Sequence, residues 1–380
     1  MSANPGTQVF VYPEELESVE PGALAEQILE LGFDAVSMAL TYHRARRLFP
    51  RQGRISLSPG GAVSFTPELA RYGRLMPEPT APAQLRDAVP AFREACRASG
   101  LRFRVWLVGL HTEPLALAHP DLAAQTVDGS STGFSLCPSQ DASVEYTAAL
   151  VGDVCSQFEP ESVDLEAALY PAWEPSYNLT LSLAPLSERA RLYAAQCFCD
   201  ACLRLFGASG DELLARTRRA AGPPFGTNGE DDASVGDELA SARAEGVGRL
   251  VAAAAGAARR EHSMLCVTSS GPAESARLRG LAPGSAGAAD RVLFGQGVVG
   301  GRELDQRLHE LRPLVGDREF TVSLNWSPER APEAFAADAE RAAAAGATGL
   351  ALYNLSLVPE EGLDAFRVAA SAFHGVKAAS

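Results

Sequence analysis

The chain of 380 residues has no uninterrupted apolar run approaching the roughly 18–20 residues that cross a bilayer, so a helical membrane span is excluded. Its first residues, MSANPGTQVFVYPEEL, lack both the basic n-region and the long apolar h-region of a secretory signal, and a cytoplasmic protein is expected. Positive charge is also short. The 47 acidic and 33 basic side chains leave a net charge of −14, with no basic stripe to hold nucleic acid or anionic lipid. No GxGxxG follows the first apolar segment and no Walker-type loop occurs, which argues against a nucleotide-binding open sheet and implies no organic cofactor. Cysteines, at 96, 137, 155, 197, 199, 202 and 266, number seven. An odd count in a reducing compartment argues against a disulfide framework and favours burial or metal binding. A neutral or cationic small molecule is the natural partner, and homo-oligomerisation is left open.

Hydrophobic residues at 46% and charged residues at 21% describe an ordinary globular protein with enough apolar side chains for a large core. A recurring phrase sets its architecture. A helix rich in Ala, Leu and Glu closes on a glycine (Gly32, Gly100, Gly346), and an apolar strand begins within a few residues. Strands are predicted near 8–12, 34–40, 102–109, 162–167, 263–269, 291–296, 319–325 and 349–353. Helices are predicted near 21–31, 84–99, 143–158, 187–206, 234–260, 272–280, 302–314, 331–345 and 360–373. Eight strands alternating with helices predict an α/β fold, a (β/α)₈ TIM barrel in one domain spanning 1–380, with a doubly wound open sheet as the alternative. Two insertions interrupt the rhythm after strands 2 and 4. Segment 41–83 carries a predicted hairpin turning at Pro59–Gly61, and 168–262 holds cysteine-bearing helices and a mobile acidic loop.

The segment SVDLEAALYP, 162–171, concentrates the chemistry. Val163 and Leu165 alternate with Asp164 and Glu166, so a period of two places both acids on one face, inward and toward the barrel mouth. They are about 6.6 Å apart along the strand, near the spacing of inverting glycosidases. Glu166 is the candidate general acid or base, and Asp164 is expected to tune it; a purely structural role for both acids is the alternative. Tyr12, Tyr42, His43, His111, Ser269, Gln296, Asn325, Trp326, Tyr353 and Asn354 fall at strand ends, a polar and aromatic ring suited to a sugar's hydroxyls and C–H face. Trp173 and Arg47, from the loops after strands 4 and 2, join the candidate substrate-binding residues. Strand 7 ends at Asn325 without a carboxylate, so the second acid is expected elsewhere, with Glu113, Glu174 and Glu329 as candidates. The run CFCDAC places Cys197, Cys199 and Cys202 where three thiolates can meet one Zn²⁺, and Cys137 is the natural fourth ligand; buried free thiols are the alternative.

The pairing of Cys137-Pro138 at a helix start with the later Cys197-Phe198-Cys199-Asp200-Ala201-Cys202 run resembles the zinc-bearing β-galactosidases of glycoside hydrolase family 42. It is also similar to uncharacterised glycosidase-like barrels with a CFCxxC segment. The resemblance implies a structural zinc at Cys137, Cys197, Cys199 and Cys202 and an acid at Glu166. Two departures stand beside it: Leu165-Glu166 replaces that family's Asn-Glu pair, and Asn325 stands where its nucleophilic Glu lies. A likeness to the DxDxE strand of family 18 chitinases fails at Ala168. The expectation is a glycoside hydrolase acting on a small glycoside or oligosaccharide. A lyase or isomerase using His43 or His111 with Glu166, or a carbohydrate-binding pseudoenzyme, are the alternatives.

Overall fold

Every predicted apolar segment becomes a strand, and every strand pairs in parallel with the next. The computed structural model describes residues 6–173, 183, 186–227, 233–295, 297 and 299–379. The strands are β1 Thr7–Val11, β2 Ala35–Tyr42, β3 Arg102–Val108, β4 Ser162–Glu166, β5 Met264–Ser270, β6 Arg291–Gly295, β7 Glu319–Asn325 and β8 Gly349–Tyr353. Because β1 pairs with both β2 and β8, the sheet closes into a parallel (β/α)₈ barrel. Around it lie α1 Pro21–Glu30, α2 Ala83–Ser99, α3 Asp141–Phe158, α4 Ala233–Arg260, α5 Ala273–Leu278, α6 Gly301–Leu311, α7 Pro332–Ala344 and α8 Leu363–Ala379. Gly32, Gly100 and Gly346 end α1, α2 and α7 with φ of 87°, 79° and 86°. Only glycine enters that left-handed region at no steric cost, so these positions stop a helix and turn the chain into the next strand.

The period of two then sorts side chains into two cores. Val163 and Leu165 of β4 face outward and pack with Leu150 and Val154 of α3 and Leu250 of α4. Each such side chain contributes about 1.5–3 kcal/mol by leaving water. Inside the barrel, Phe10, Ala39, Trp106, Cys266, Leu293 and Ala351 form a separate cluster. Below it is a buried polar layer. Gln8 Nε2 and Ser37 Oγ donate to Asp164 Oδ2 at 2.9 and 2.7 Å, Arg291 lies 3.9 Å from the same carboxylate, and Arg104 joins Gln8 to Glu161.

The excursions differ from expectation in detail. The hairpin after β2 pairs Ala45–Phe49 with Arg54–Ser58, and it turns at Pro50–Gln52 rather than at Pro59–Gly61. Gly53, with φ 60°, closes that turn early. Pro59–Gly61 instead leads to Ala62–Val63, which adds antiparallel to β2. Ile55 and Leu57, on the second strand of the hairpin, are 54% and 71% exposed. The helix expected over 187–206 breaks into Glu188–Ala194 and Asp200–Phe206, because the chain turns through its cysteines. The centre of the acidic loop, 228–232, lies outside the described residues.

Candidate active site

The C-terminal ends of the strands surround a cavity of about 580 Å³ with Glu166 in its wall. Beneath it the barrel carries aromatic rings where branched aliphatics are usual. Trp106 meets Phe10, Tyr42, Tyr12 and Tyr353 at centroid distances of 5.0, 5.0, 5.6 and 5.8 Å. Burial against this floor pushes the Glu166 pKa above the ordinary 4.5, opposed by a hydrogen bond from Trp106 and by the charge of Arg279. The Trp106 indole Nε1–H donates to Glu166 Oε2 at 2.8 Å, which fixes the carboxyl in the cavity. A carboxyl so placed keeps its proton to higher pH, as a general acid requires.

Asp164 does not reach this cavity. It is fully buried one layer lower, accepts from Gln8 and Ser37, and is not among the groups that shift Glu166.

Three tyrosines from strands that meet only on barrel closure share their hydroxyls. Tyr12 Oη lies 2.8 Å from Tyr42 Oη and 2.7 Å from Tyr353 Oη, and the last two are 3.1 Å apart. Burial raises the pKa of all three, so they are neutral phenols. Tyr42 and Tyr353 line the cavity, while Tyr12 lies behind them. Arg47 lies outside the trio, 3.9 Å over the Tyr12 ring and 2.5 Å from Glu14. With Arg51, which pairs with Glu15 at 3.0 Å, it clamps the turn after β1. This pairing, with the Arg44–Glu113 contact at 3.0 Å, accounts for much of the basic loop.

His43 and His111 stand on the rim and connect the cavity to a smaller lobe lined by Arg44, Glu113 and Phe134. Burial is the chief cause of both low pKa values: His43 falls to about 4 and His111 well below 6.5, so both are neutral at pH 7. The His43 Nδ1–H donates to Arg44 O at 2.9 Å, which leaves Nε2 as the acceptor nitrogen.

Asn325 lines the cavity as expected; Trp326 packs instead against the helix–barrel core, and Trp173 lines a neighbouring lobe. Gln296 and Glu174 lie outside the described residues. Glu329 is exposed. Sequence reasoning missed Trp106, Thr268, Ser270, Ser323 and Arg279. Parity could have found the first four. Trp106 shares its face of β3 with Arg104, and Cys266 faces inward, which sends Thr268 and Ser270 into the cavity and Ser269 away from it. Arg279, just after α5, carried no local signal.

The thiols of Cys137, Cys197, Cys199 and Cys202 converge with their sulfurs within 4.8 Å of one another, all buried. Cys137 and Cys202 are 3.6 Å apart. Four thiolates about 2.3 Å from a zinc ion stand about 3.8 Å from each other, so the cluster fits a tetrahedral metal. An independent feature agrees. Arg243 is fully buried, and its described partners are Cys202 Sγ at 3.3 Å, Gln196 Oε1 at 3.2 Å and the Cys197 carbonyl. A buried guanidinium needs a counter-charge, which a tetrathiolate metal centre supplies. The Gln125 N–H also points at Cys197 Sγ, at 3.2 Å.

No protein-family model matches the chain, and no curated protein matches its sequence. Solved structures do match its fold. The catalytic domain of a β-amylase from Paenibacillus polymyxa aligns over 96% of this chain and 97% of its own, with a TM-score of 0.60 at 11% identity. The PgaB (BpsB) glycoside hydrolase domain from Bordetella bronchiseptica aligns over 96% and 98%, with a TM-score of 0.60 at 12% identity. A β-galactosidase from the psychrophilic Marinomonas ef1 gives a TM-score of 0.58 at 11% identity, and the chain covers 59% of its length. At such identities the likeness establishes the (β/α)₈ barrel. Among the described residues, no helix is long and apolar enough to cross a membrane.

Proposed function

We propose that this barrel is a glycoside hydrolase acting on a small glycoside or oligosaccharide, with Glu166 donating the proton to the departing glycosidic oxygen. One observation carries the reading: Glu166 lies in the cavity at the C-terminal mouth, held by Trp106 and with its pKa raised by burial. Fold neighbours named as a β-amylase and as a glycoside hydrolase domain support it. Tyr42, Tyr353, Asn325 and the rim histidines would hold the sugar's hydroxyls. The four cysteines would hold a structural zinc of the kind the family 42 resemblance implies, outside the reaction itself. Seven free thiols suit a cytoplasmic setting.

A second reading has its own support, because among the described residues no other carboxylate lines this cavity. A lyase or isomerase would move one proton with Glu166 and a neutral His43 or His111, and a binding protein would move none. Glu166→Gln decides first. The hydrolase reading expects kcat/KM on aryl glycosides to fall by about 10²–10⁴ while ligand affinity survives. Incorporation of ¹⁸O from solvent water into the product then separates hydrolysis from elimination or isomerisation.

A further inference from the structure

The main cavity continues on one side into a second lobe of about 390 Å³, and the two share Ala172, Ser275 and Arg279 at their junction. We propose that this lobe is a second saccharide subsite, so that the ligand is an oligosaccharide of at least two units rather than one sugar on a small leaving group. The proposal rests on the carbohydrate reading of the main cavity and extends it.

Three features support it. The lobe has the size of a small-molecule site, about 300–1,000 Å³. Trp173 lines it, and Phe225 braces the indole edge-on at 5.6 Å and 73°. A fixed aromatic plane offers a surface to the C–H face of a sugar at little entropic cost. Around it, Glu188, Arg191, Gln196 and Glu274 mix both signs with an amide, which suits a neutral polyhydroxyl ligand better than an ion.

The walls of the lobe are also anchored, and by the same centre. Tyr170, which precedes the Pro171–Trp173 wall, has its hydroxyl 3.6 Å from Cys202 Sγ and its ring 4.1 Å under the Arg243 guanidinium. Its backbone meets Arg279 twice: N donates to Arg279 O at 3.1 Å, and O accepts from Arg279 Nε at 2.7 Å. On the opposite wall, Gln196 precedes Cys197 and accepts from Arg243. The cysteine cluster therefore holds both sides of the lobe in place, which gives this part of the insertion a role in ligand recognition. The lobe on the His43 side is smaller, about 230 Å³, and the Arg44–Glu113 ion pair lies in its lining, so the ligand extends toward Trp173.

The test uses the full chain carrying Glu166→Gln, titrated calorimetrically with β-linked galactose, glucose and N-acetylglucosamine oligomers of one to five units. In the series that binds, Kd should tighten at least tenfold from one unit to two. The ratio should fall toward one in the Glu166→Gln/Trp173→Ala protein and recover in part with Trp173→Phe. Equal affinities for one and two units, or a gain untouched by Trp173→Ala, would overturn the subsite and leave the main-cavity reading standing. If no member of any series binds, the carbohydrate reading itself fails and the subsite with it.

Discussion

Glu166 and Asp164 are two residues apart on one strand face, yet the barrel treats them oppositely. The Glu166 carboxyl accepts one described hydrogen bond, from Trp106, and has an elevated pKa, whereas Asp164 is enclosed by Gln8, Ser37 and Arg291. The stability consequence of the first follows from linkage. A carboxyl whose folded pKa is raised contributes fully below its unfolded value, near 4.5, and that contribution is lost as pH rises through the folded value. Glu166→Gln has no charge to desolvate. Its melting temperature is expected to match the parent at about pH 4 and exceed it at pH 7; a gap that stays constant with pH would contradict the assignment. Asp164→Asn should behave differently. It removes the carboxylate beside Arg291 in the barrel interior, near Arg104, at a cost of about 3–5 kcal/mol by urea titration, while the folded fraction keeps its kcat. If kcat falls with stability unchanged, Asp164 belongs to the chemistry after all.

At the scale of elements, the insertion after β4 is organised by sulfur rather than by an apolar core alone. The helices Glu188–Ala194 and Asp200–Phe206 are short, and the turn between them carries Cys197 and Cys199. Cys199→Ser is expected to lower the bound zinc per chain and the melting temperature together, read by elemental analysis and calorimetry. Arg243→Met should weaken metal retention against a chelator by about 10–100-fold while leaving all four sulfurs present. Unchanged retention in that variant would mean that Arg243 serves packing and not charge. The hairpin Ala45–Phe49/Arg54–Ser58 is the contrasting element. Its Leu48, Ile55 and Leu57 are more than half exposed, so alternation there does not mark a buried face.

For the whole molecule, closure of the barrel joins groups distant in the chain into one site, and the cluster of Cys137, Cys197, Cys199 and Cys202 ties the long insertion to it. Prolonged chelation of the purified protein should lower its melting temperature by several degrees, and added Zn²⁺ should restore it, since a ligand bound only by the folded state stabilises by mass action. A melting curve indifferent to chelator and zinc would show that the thiols are simply buried.

Much of this architecture was legible in the chain because it rests on local physics. Gly32, Gly100 and Gly346 mark helix ends through backbone sterics, and the period of two separates Val163 and Leu165 from Asp164 and Glu166 on any strand. The CxCxxC spacing announces a thiol cluster because three sulfurs on so short a segment cannot lie far apart. Other facts belong to the tertiary structure alone. The tyrosine trio joins residues 12, 42 and 353, as far as 341 positions apart, and only closure of β8 onto β1 brings their hydroxyls together. Which acid meets the cavity is a matter of depth along the barrel, which alternation does not measure. Arg279 and Trp106 acquire their roles from neighbours supplied by other strands and loops. Local pattern thus determined the elements and their faces, while closure of the sheet decided which of those faces share one cavity.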